Sequence, residues 1–236
     1  MMTQPLKMEP EPDAEIVLLL NQMKDFFQGE RELYGDELYL EYDPNQLKMG
    51  AAERQQTRLE QAYDAYRNCQ RCGLARQRTR IVFGSGEPGV RLMLIGEAPG
   101  YHEDQAGVPF VGNAGQLLDK ILQAIQLTRR DVFITNVVKC RPPDNRDPLP
   151  EECQTCFPLL KQQLEIIQPQ CILLLGRIAA GVLLQTDAAI ANLRGRVHEA
   201  FGAKVVVTYH PAALLRNPEL KRSTWEDVQL FQKLFQ

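Results

Sequence analysis

The sequence predicts an α/β fold: three layers, α/β/α, around a central, mainly parallel, four-stranded sheet. Three observations carry this. Four short apolar runs, "RLMLIG" (91–96), "DVFITNVVKC" (131–140), "CILLLG" (171–176) and "KVVVTYHP" (204–211), have the length and character of buried strands. Helical stretches alternate with them, as in a parallel sheet covered on both faces. The chain of 236 residues, 44% hydrophobic and 24% charged, is long enough for one such domain and ordinary enough to fold in water.

In chain order, residues 1–14 are acidic, proline-bearing and aperiodic, which predicts a disordered tail. Residues 15–28 place Ile16, Leu19, Leu20, Met23, Phe26 and Phe27 on one helical face. A linker over 29–50 and a helix over 51–67 lead to the first cysteine pair. After the 91–96 strand, "GQLLDKILQAI" (115–125) is an amphipathic helix. The 131–140 strand precedes a helix over 149–167 that carries Pro150 near its start, where proline is tolerated. The 171–176 strand runs into the helical "RIAAGVLL", and "STWEDVQLFQKLF" opens with an apparent capping box from Ser223 to Glu226. The chain therefore divides into an extension, 1–65, and a main domain, 66–236.

No run approaches the ~20 apolar residues of a membrane helix. "IVLLL" (16–20) follows four acidic residues, unlike a secretory signal, so a cytoplasmic protein is expected. The net charge of −3 conceals a split. Residues 1–66 hold 6 Lys/Arg against 14 Asp/Glu, and the remainder holds 21 against 16. The main domain alone is compatible with a nucleic-acid partner.

Six cysteines at 69, 72, 140, 153, 156 and 171 suggest metal in a reducing compartment. Cys69 and Cys72 form a chelating pair. Cys153 and Cys156 would complete a structural zinc site, whereas Cys140 and Cys156 would complete a four-thiolate iron–sulfur cluster. Spacing alone leaves both open.

Ligands of parallel sheets bind beyond the carboxyl ends of the strands. "GEAPG" (96–100), Asn136 and "HPAALLRNP" (210–218) all lie at such ends and converge on one crevice. "GEAPG" lacks the glycine and lysine pattern of phosphate loops, and a carboxylate at Glu97 would repel a polyphosphate. Glu97 suits a water directed at an electrophilic carbon instead.

Here the sequence resembles a known family. "CQRCGLARQRTRIVFGSGEP", "GEAPGYHEDQAGVPFVGNAGQLL", "TNVVKCRPPDNRDPLPEE" with Cys156 behind it, and "YHPAALLRNP" are similar, in order and separation, to the family 4, iron–sulfur uracil-DNA glycosylases over residues 66–235. The resemblance implies the uracil-DNA glycosylase fold and an enzyme that flips uracil from double- or single-stranded DNA, hydrolyses its N-glycosidic bond and starts base excision repair. It implies a [4Fe–4S] cluster on Cys69, Cys72, Cys140 and Cys156. It implies Phe110 stacking on the base, Asn136 reading its edge, and His210 donating to uracil O2. Glu97 would hold the attacking water with help from Asn145. Gly96 and Ala98 would line the pocket, with Glu103 helping to refuse the methyl group of thymine.

A covalently trapping relative carries a basic, histidine-containing insertion after the asparagine strand; this chain has "CRPPDNRDPLPEE" there, so turnover is expected. Arg76, Arg78, Arg80 and Arg216 are candidate phosphate contacts. "QMKDFF" (22–27) approximates the motif of peptides that dock on the bacterial sliding clamp, making that clamp a candidate partner of an otherwise monomeric protein. A non-catalytic DNA-binding protein on the same fold is the alternative, and it would need none of the roles given to Glu97, Asn136 and His210.

Overall fold

The computed structural model describes residues 50–236. The expected tail, the 15–28 helix with its 22–27 motif, and the linker through residue 49 lie outside the described residues. Strands β1 (Leu92–Gly96), β2 (Phe133–Asn136), β3 (Cys171–Leu175), β4 (Val197–Ala200) and β5 (Ala203–Thr208) form one sheet in the order β2-β1-β3-β5-β4. All pairings are parallel except β4 with β5. The helices are α1 (Ala51–Tyr66), α2 (Tyr101–Ala106), α3 (Asn113–Ala124), α4 (Pro150–Ile167), α5 (Arg177–Leu184), α6 (Ile190–Leu193), α7 (Pro211–Arg216) and α8 (Leu220–Gln232).

Alternate residues of each strand enter two separate cores, which is why the apolar runs are nearly continuous. Met93 and Ile95 of β1, Ile172 and Leu174 of β3, and Val205 and Val207 of β5 pack with Leu159, Leu160 and Leu164 of α4 and Leu183 of α5. Leu92, Leu94, Leu173 and Val206 point the other way, against Leu118 and Leu122 of α3 and Val228 and Phe231 of α8. The expected three layers are therefore present.

The sheet has five strands rather than four. The additional one, β4, is a half-exposed edge whose residues, Val-His-Glu-Ala, carry no apolar run. Its turn, Phe201-Gly202, has positive φ at both positions (52° and 73°), the geometry of a two-residue type I′ hairpin, but lacks the usual Asn or Asp. The second strand is shorter than expected. Beyond Asn136 the chain bends, and the amides of Val137 and Val138 donate to the carbonyls of Gly96 (2.9 Å) and Glu97 (3.1 Å).

Residues 51–65, grouped from the sequence with the extension, pack on α4 within the same compact unit as the sheet. Leu59 and Ala62 are buried there, Gln55 Nε2 donates to Ile167 O at 3.3 Å, and Gly89 N–H donates to Gln55 Oε1 at 2.6 Å. The final helix begins at Leu220, not at Ser223, because Asn217 Oδ1 accepts from Glu219 N–H at 3.1 Å and turns the chain earlier. Ser223 is thus inside the helix, where its carbonyl accepts from Arg194 Nη2 at 2.6 Å.

Arg194 ties that helix to the sheet through Asp227, which is fully buried. Asp227 accepts from Arg194 Nε (3.0 Å), Thr208 Oγ1 (2.8 Å) and Gly195 N–H (2.9 Å). Removing one partner of a buried pair strands the other. Asp227→Ala is expected to cost about 3–5 kcal/mol in urea unfolding.

Candidate functional site

Strand β1 lies between β2 and β3, so the chain leaves it first to one side and then to the other. Such a switch opens a crevice at the carboxyl ends of the strands. A cleft of about 360 Å³ occupies it, lined by Glu97, Ala98, Gly100, Glu103, Phe110, Asn136, Asn145, Asp147, His210 and Arg216.

Asn136 ends β2 beside Gly96 of β1, and its side chain is 1% exposed. Its Oδ1 makes no hydrogen bond within the protein, an arrangement that native structures seldom leave without a purpose. Gly96 does not line the cleft as expected; it lies behind it. A Cβ at Gly96 would stand 2.4 Å from Asn136 Oδ1 and 2.6 Å from Phe110 Cζ. Its role is to leave room for those two side chains.

Phe110 is buried and holds a left-handed backbone, φ 55°, which costs a bulky residue on the order of 1–3 kcal/mol. Its surroundings enforce it. Arg129, paired with Asp119 at 2.7 Å, donates to the carbonyl of Pro109 at 3.0 Å and also to that of Phe110. Glu103 accepts from the amides of Val111 (2.8 Å), Gly112 (2.9 Å) and Gly100 (3.1 Å). The Glu103 carboxylate thus faces the cleft already engaged, fastening the Phe110 loop to the start of α2.

His210 precedes α7 and stands 5.5 Å from Phe110, ring centroid to ring centroid. Its Nδ1 accepts from Ala212 N–H at 3.1 Å, which puts the proton of a neutral ring on Nε2. Burial, with Arg216 nearby, pushes its pKa down to about 4, against an opposing pull from Glu103. Glu97 moves the other way, up to about 7. Burial is the main cause and Asp147 adds to it, while Arg177 and Arg216 oppose. The cleft therefore combines a neutral donor with a carboxyl group that titrates near neutrality.

Asn145 lies on the opposite rim at φ 54°. Its Oδ1 accepts from Arg141 Nε at 2.7 Å, and Arg141 rests 5.1 Å over the Tyr101 ring. Because arginine has only donors, this bond identifies the oxygen end of the Asn145 amide, which keeps a second lone pair. Asp147, absent from the sequence expectations, also lines the cleft and pairs with Arg177 at 3.0 Å.

Cys69, Cys72, Cys140 and Cys156 line a single small cavity, brought together from before β1 and after β2. Burial raises the Cys140 thiol to about 11, and Cys140 also senses Cys156 and Cys72. Cys156 is raised likewise and senses Cys72 and Cys69. Cys153 lines a different groove, of about 780 Å³, beside Phe157 and Ile178. Among the described residues, no group of three or more His, Cys, Asp or Glu is arranged to hold a single metal ion. Four thiols around a cavity suit a multi-iron cluster, whose ligands stand apart on its corners.

Of the four candidate arginines, Arg76 and Arg80 are exposed, and exposed Arg216 borders the cleft. Arg78 is redirected: its Nη1 donates to Cys140 Sγ at 3.2 Å and its Nη2 to Arg67 O at 3.4 Å. Its partners within the protein are a thiol and a carbonyl.

Residues 83–234 match the family model of the uracil DNA glycosylase superfamily. The chain is 43% identical to the type-4 uracil-DNA glycosylase of Pyrobaculum aerophilum over 73% of its own length and 92% of the relative's. It is 42% identical to that of Thermotoga maritima, over 72% and 91%. The similarity to the type-5 uracil-DNA glycosylase of Pyrobaculum aerophilum is lower, 34% over 55% of this chain and 64% of the relative.

The geometry of the Phe110 loop makes one glycine critical. A Cβ at Gly115 would fall 1.7 Å from Phe110 O, a backbone atom that cannot swing aside. Gly115→Ala is expected to lower stability by about 1–3 kcal/mol, measured by urea unfolding, as Phe110 is forced out of place.

Proposed function

The chain belongs to the uracil DNA glycosylase superfamily, and on that premise we propose that it excises uracil from DNA by hydrolysing the N-glycosidic bond, leaving an abasic site. The observation that carries this reading is Asn136 Oδ1, a buried acceptor with no protein partner at the floor of a cleft between Phe110 and His210. Uracil presents N3–H and O4 to a side-chain amide, which returns an acceptor and a donor. Cytosine presents an acceptor and an amino group at the same positions and mismatches both. A bidentate amide of this kind discriminates by about 1–3 kcal/mol.

The base leaves its stack and lies on Phe110, at a cost of a few kcal/mol that a U·G mismatch reduces. As C1′–N1 breaks, the bonding electrons move onto uracil, and negative charge gathers at O2. His210 Nε2–H donates there as a neutral ring, in keeping with its low pKa. The sugar becomes cationic, and the Glu97 carboxylate favours that charge. Water attacks C1′, its oxygen bonding to the carbon while Glu97 accepts a proton. Asn145, which lines the same cleft, would help to hold that water.

The cysteine cavity fits the [4Fe–4S] cluster expected of Cys69, Cys72, Cys140 and Cys156. When bound, such a cluster supplies four metal–thiolate bonds that tie the segment before β1 to the segment after β2. Arg76, Arg80 and Arg216 are the exposed side chains left to contact phosphates, which makes binding salt-sensitive. Cysteines used as cluster ligands fit a reducing, cytoplasmic setting.

The test of function is an oligonucleotide with one uracil, treated with alkali after incubation; no strand break with cluster-loaded protein would overturn the proposal. Activity should rise with pH through about 7 as Glu97 loses its proton, with no second limb from His210 above pH 5. The stability effect has the opposite sign. Because the folded pKa of Glu97 lies above its ordinary 4.5, ionisation weakens the fold progressively between pH 4.5 and about 7. Glu97→Gln should thus be inactive, no more stable than the parent at pH 4, and more resistant to urea at pH 8. For the cluster, protein purified without oxygen should be brown. Cys140→Ala should bleach it and Cys153→Ala should not; a colourless protein carrying one zinc would exclude the assignment.

A further inference from the structure

From the lining of the cysteine cavity a buried lysine reaches toward the base-reading asparagine. Lys139 is fully buried. Its Nζ donates to Asn136 O at 2.6 Å, Thr135 Oγ1 at 2.6 Å and Gln163 Oε1 at 2.7 Å, which employs all three protons. The acceptors are themselves anchored, since Gln163 Nε2 donates to Phe83 O at 2.8 Å and Thr135 Oγ1 to the same oxygen at 2.9 Å. Lys139 therefore reaches back three residues and closes the bend that carries the chain from β2 to Cys140. Its own carbonyl accepts from Val82 N–H at 2.8 Å, which fastens the far end of the bend.

The consequence falls on Asn136. Its Oδ1 cannot adjust toward a neighbour, because it has none, so its direction depends on the backbone beneath it. One side of that backbone is set by β1, through the Gly96–Asn136 register. The other side is the peptide whose oxygen Lys139 holds. An apolar side chain would fill the same volume without the desolvation of an ammonium, so packing alone does not account for a lysine here.

We propose that Lys139 is a positioning residue for uracil recognition: it pins the Asn136 peptide and thereby fixes the amide that reads the base, while joining that peptide to the segment bearing Cys140. This rests on the reading of Asn136 as the base-reading residue.

A double-mutant cycle tests it, using the full cluster-loaded chain and a single-uracil oligonucleotide. Lys139→Met keeps the length of the side chain and removes its three donors. Alone, it should lower kcat by on the order of 100-fold with KM little changed, the penalty of a reacting geometry displaced by about an ångström. It should also weaken inhibition by free uracil. In an Asn136→Ala background the same substitution should cost less than roughly threefold more, because the group it positions is gone. Equal losses in both backgrounds, or no loss in either, would overturn the proposal and leave Asn136 as the base reader. Full activity of Asn136→Ala alone would instead remove the base-reading role, and this proposal with it. Where Lys139→Met fails to fold, Lys139→Met/Gln163→Leu removes the donor together with a stranded acceptor, and its cycle with Asn136→Ala is read the same way.

Discussion

A Cβ at Gly96 would stand 2.4 Å from Asn136 Oδ1 and 2.6 Å from Phe110 Cζ, and the cleft is built in the space that its absence leaves. Two parallel strands in register bring residue 96 beside residue 136, and backbone hydrogen bonding does not alter that spacing. The amide from β2 and the ring from the loop before α3 can therefore meet only if β1 contributes no side chain. Everything else in the cleft is arranged around this pair. His210 comes from the loop after β5 to lie near the ring, and Glu97 follows Gly96 directly onto the open side. Groups from the ends of β1, β2 and β5 and the ring from the loop before α3 thus line one cleft.

Holding this arrangement is costly for the fold, and the structure shows where the cost is borne. Phe110 sits in a backbone region that suits glycine, Asn136 Oδ1 is desolvated without a partner, and Glu97 is half enclosed near Asp147. The first two are offset by fixtures elsewhere in the chain. Glu103 and Arg129 grip the Phe110 loop from its two sides, and Lys139 holds the peptide of Asn136. Phe110 is strained and Asn136 Oδ1 desolvated, while the groups that hold them are hydrogen-bonded in place. This division is what electrostatic preorganisation requires, since a site that must relax around its substrate loses much of the benefit of its fixed charges.

Much of this was legible in the chain. Buried parallel strands are continuous apolar runs, and residues at their carboxyl ends converge, so Glu97, Asn136 and His210 could be found from pattern and topology. The cysteine pairs showed themselves by spacing, but the choice between Cys140 and Cys153 as the companion of Cys156 did not. Three residues apart on a helix means an offset of about 60°, and that small angle sends one thiol to the cavity and the other to a separate groove. The basic run 75–80 was visible too, yet Arg78 turns inward to a sulfur 62 positions away, a pairing that no local pattern encodes. Lys139 was hidden by its own context, a single charge closing the run "ITNVVK" that read as the continuation of a strand. The edge strand β4 was missed because half-exposed strands need no apolar residues.

The path of the chain between the cysteine cavity and β1 has a bearing on solubility. Strand β2 ends the sheet on one side, and an unpaired strand edge invites another molecule to add to it. Ser85 prevents this by exchanging hydrogen bonds with Ile134, at 2.9 and 2.8 Å, in a single antiparallel bridge. The segment that carries Ser85 leads directly from Cys69 and Cys72. Val82 N–H on Lys139 O, at 2.8 Å, helps to hold this cover on the sheet. The edge of the sheet that would otherwise recruit another molecule is therefore closed from within the chain.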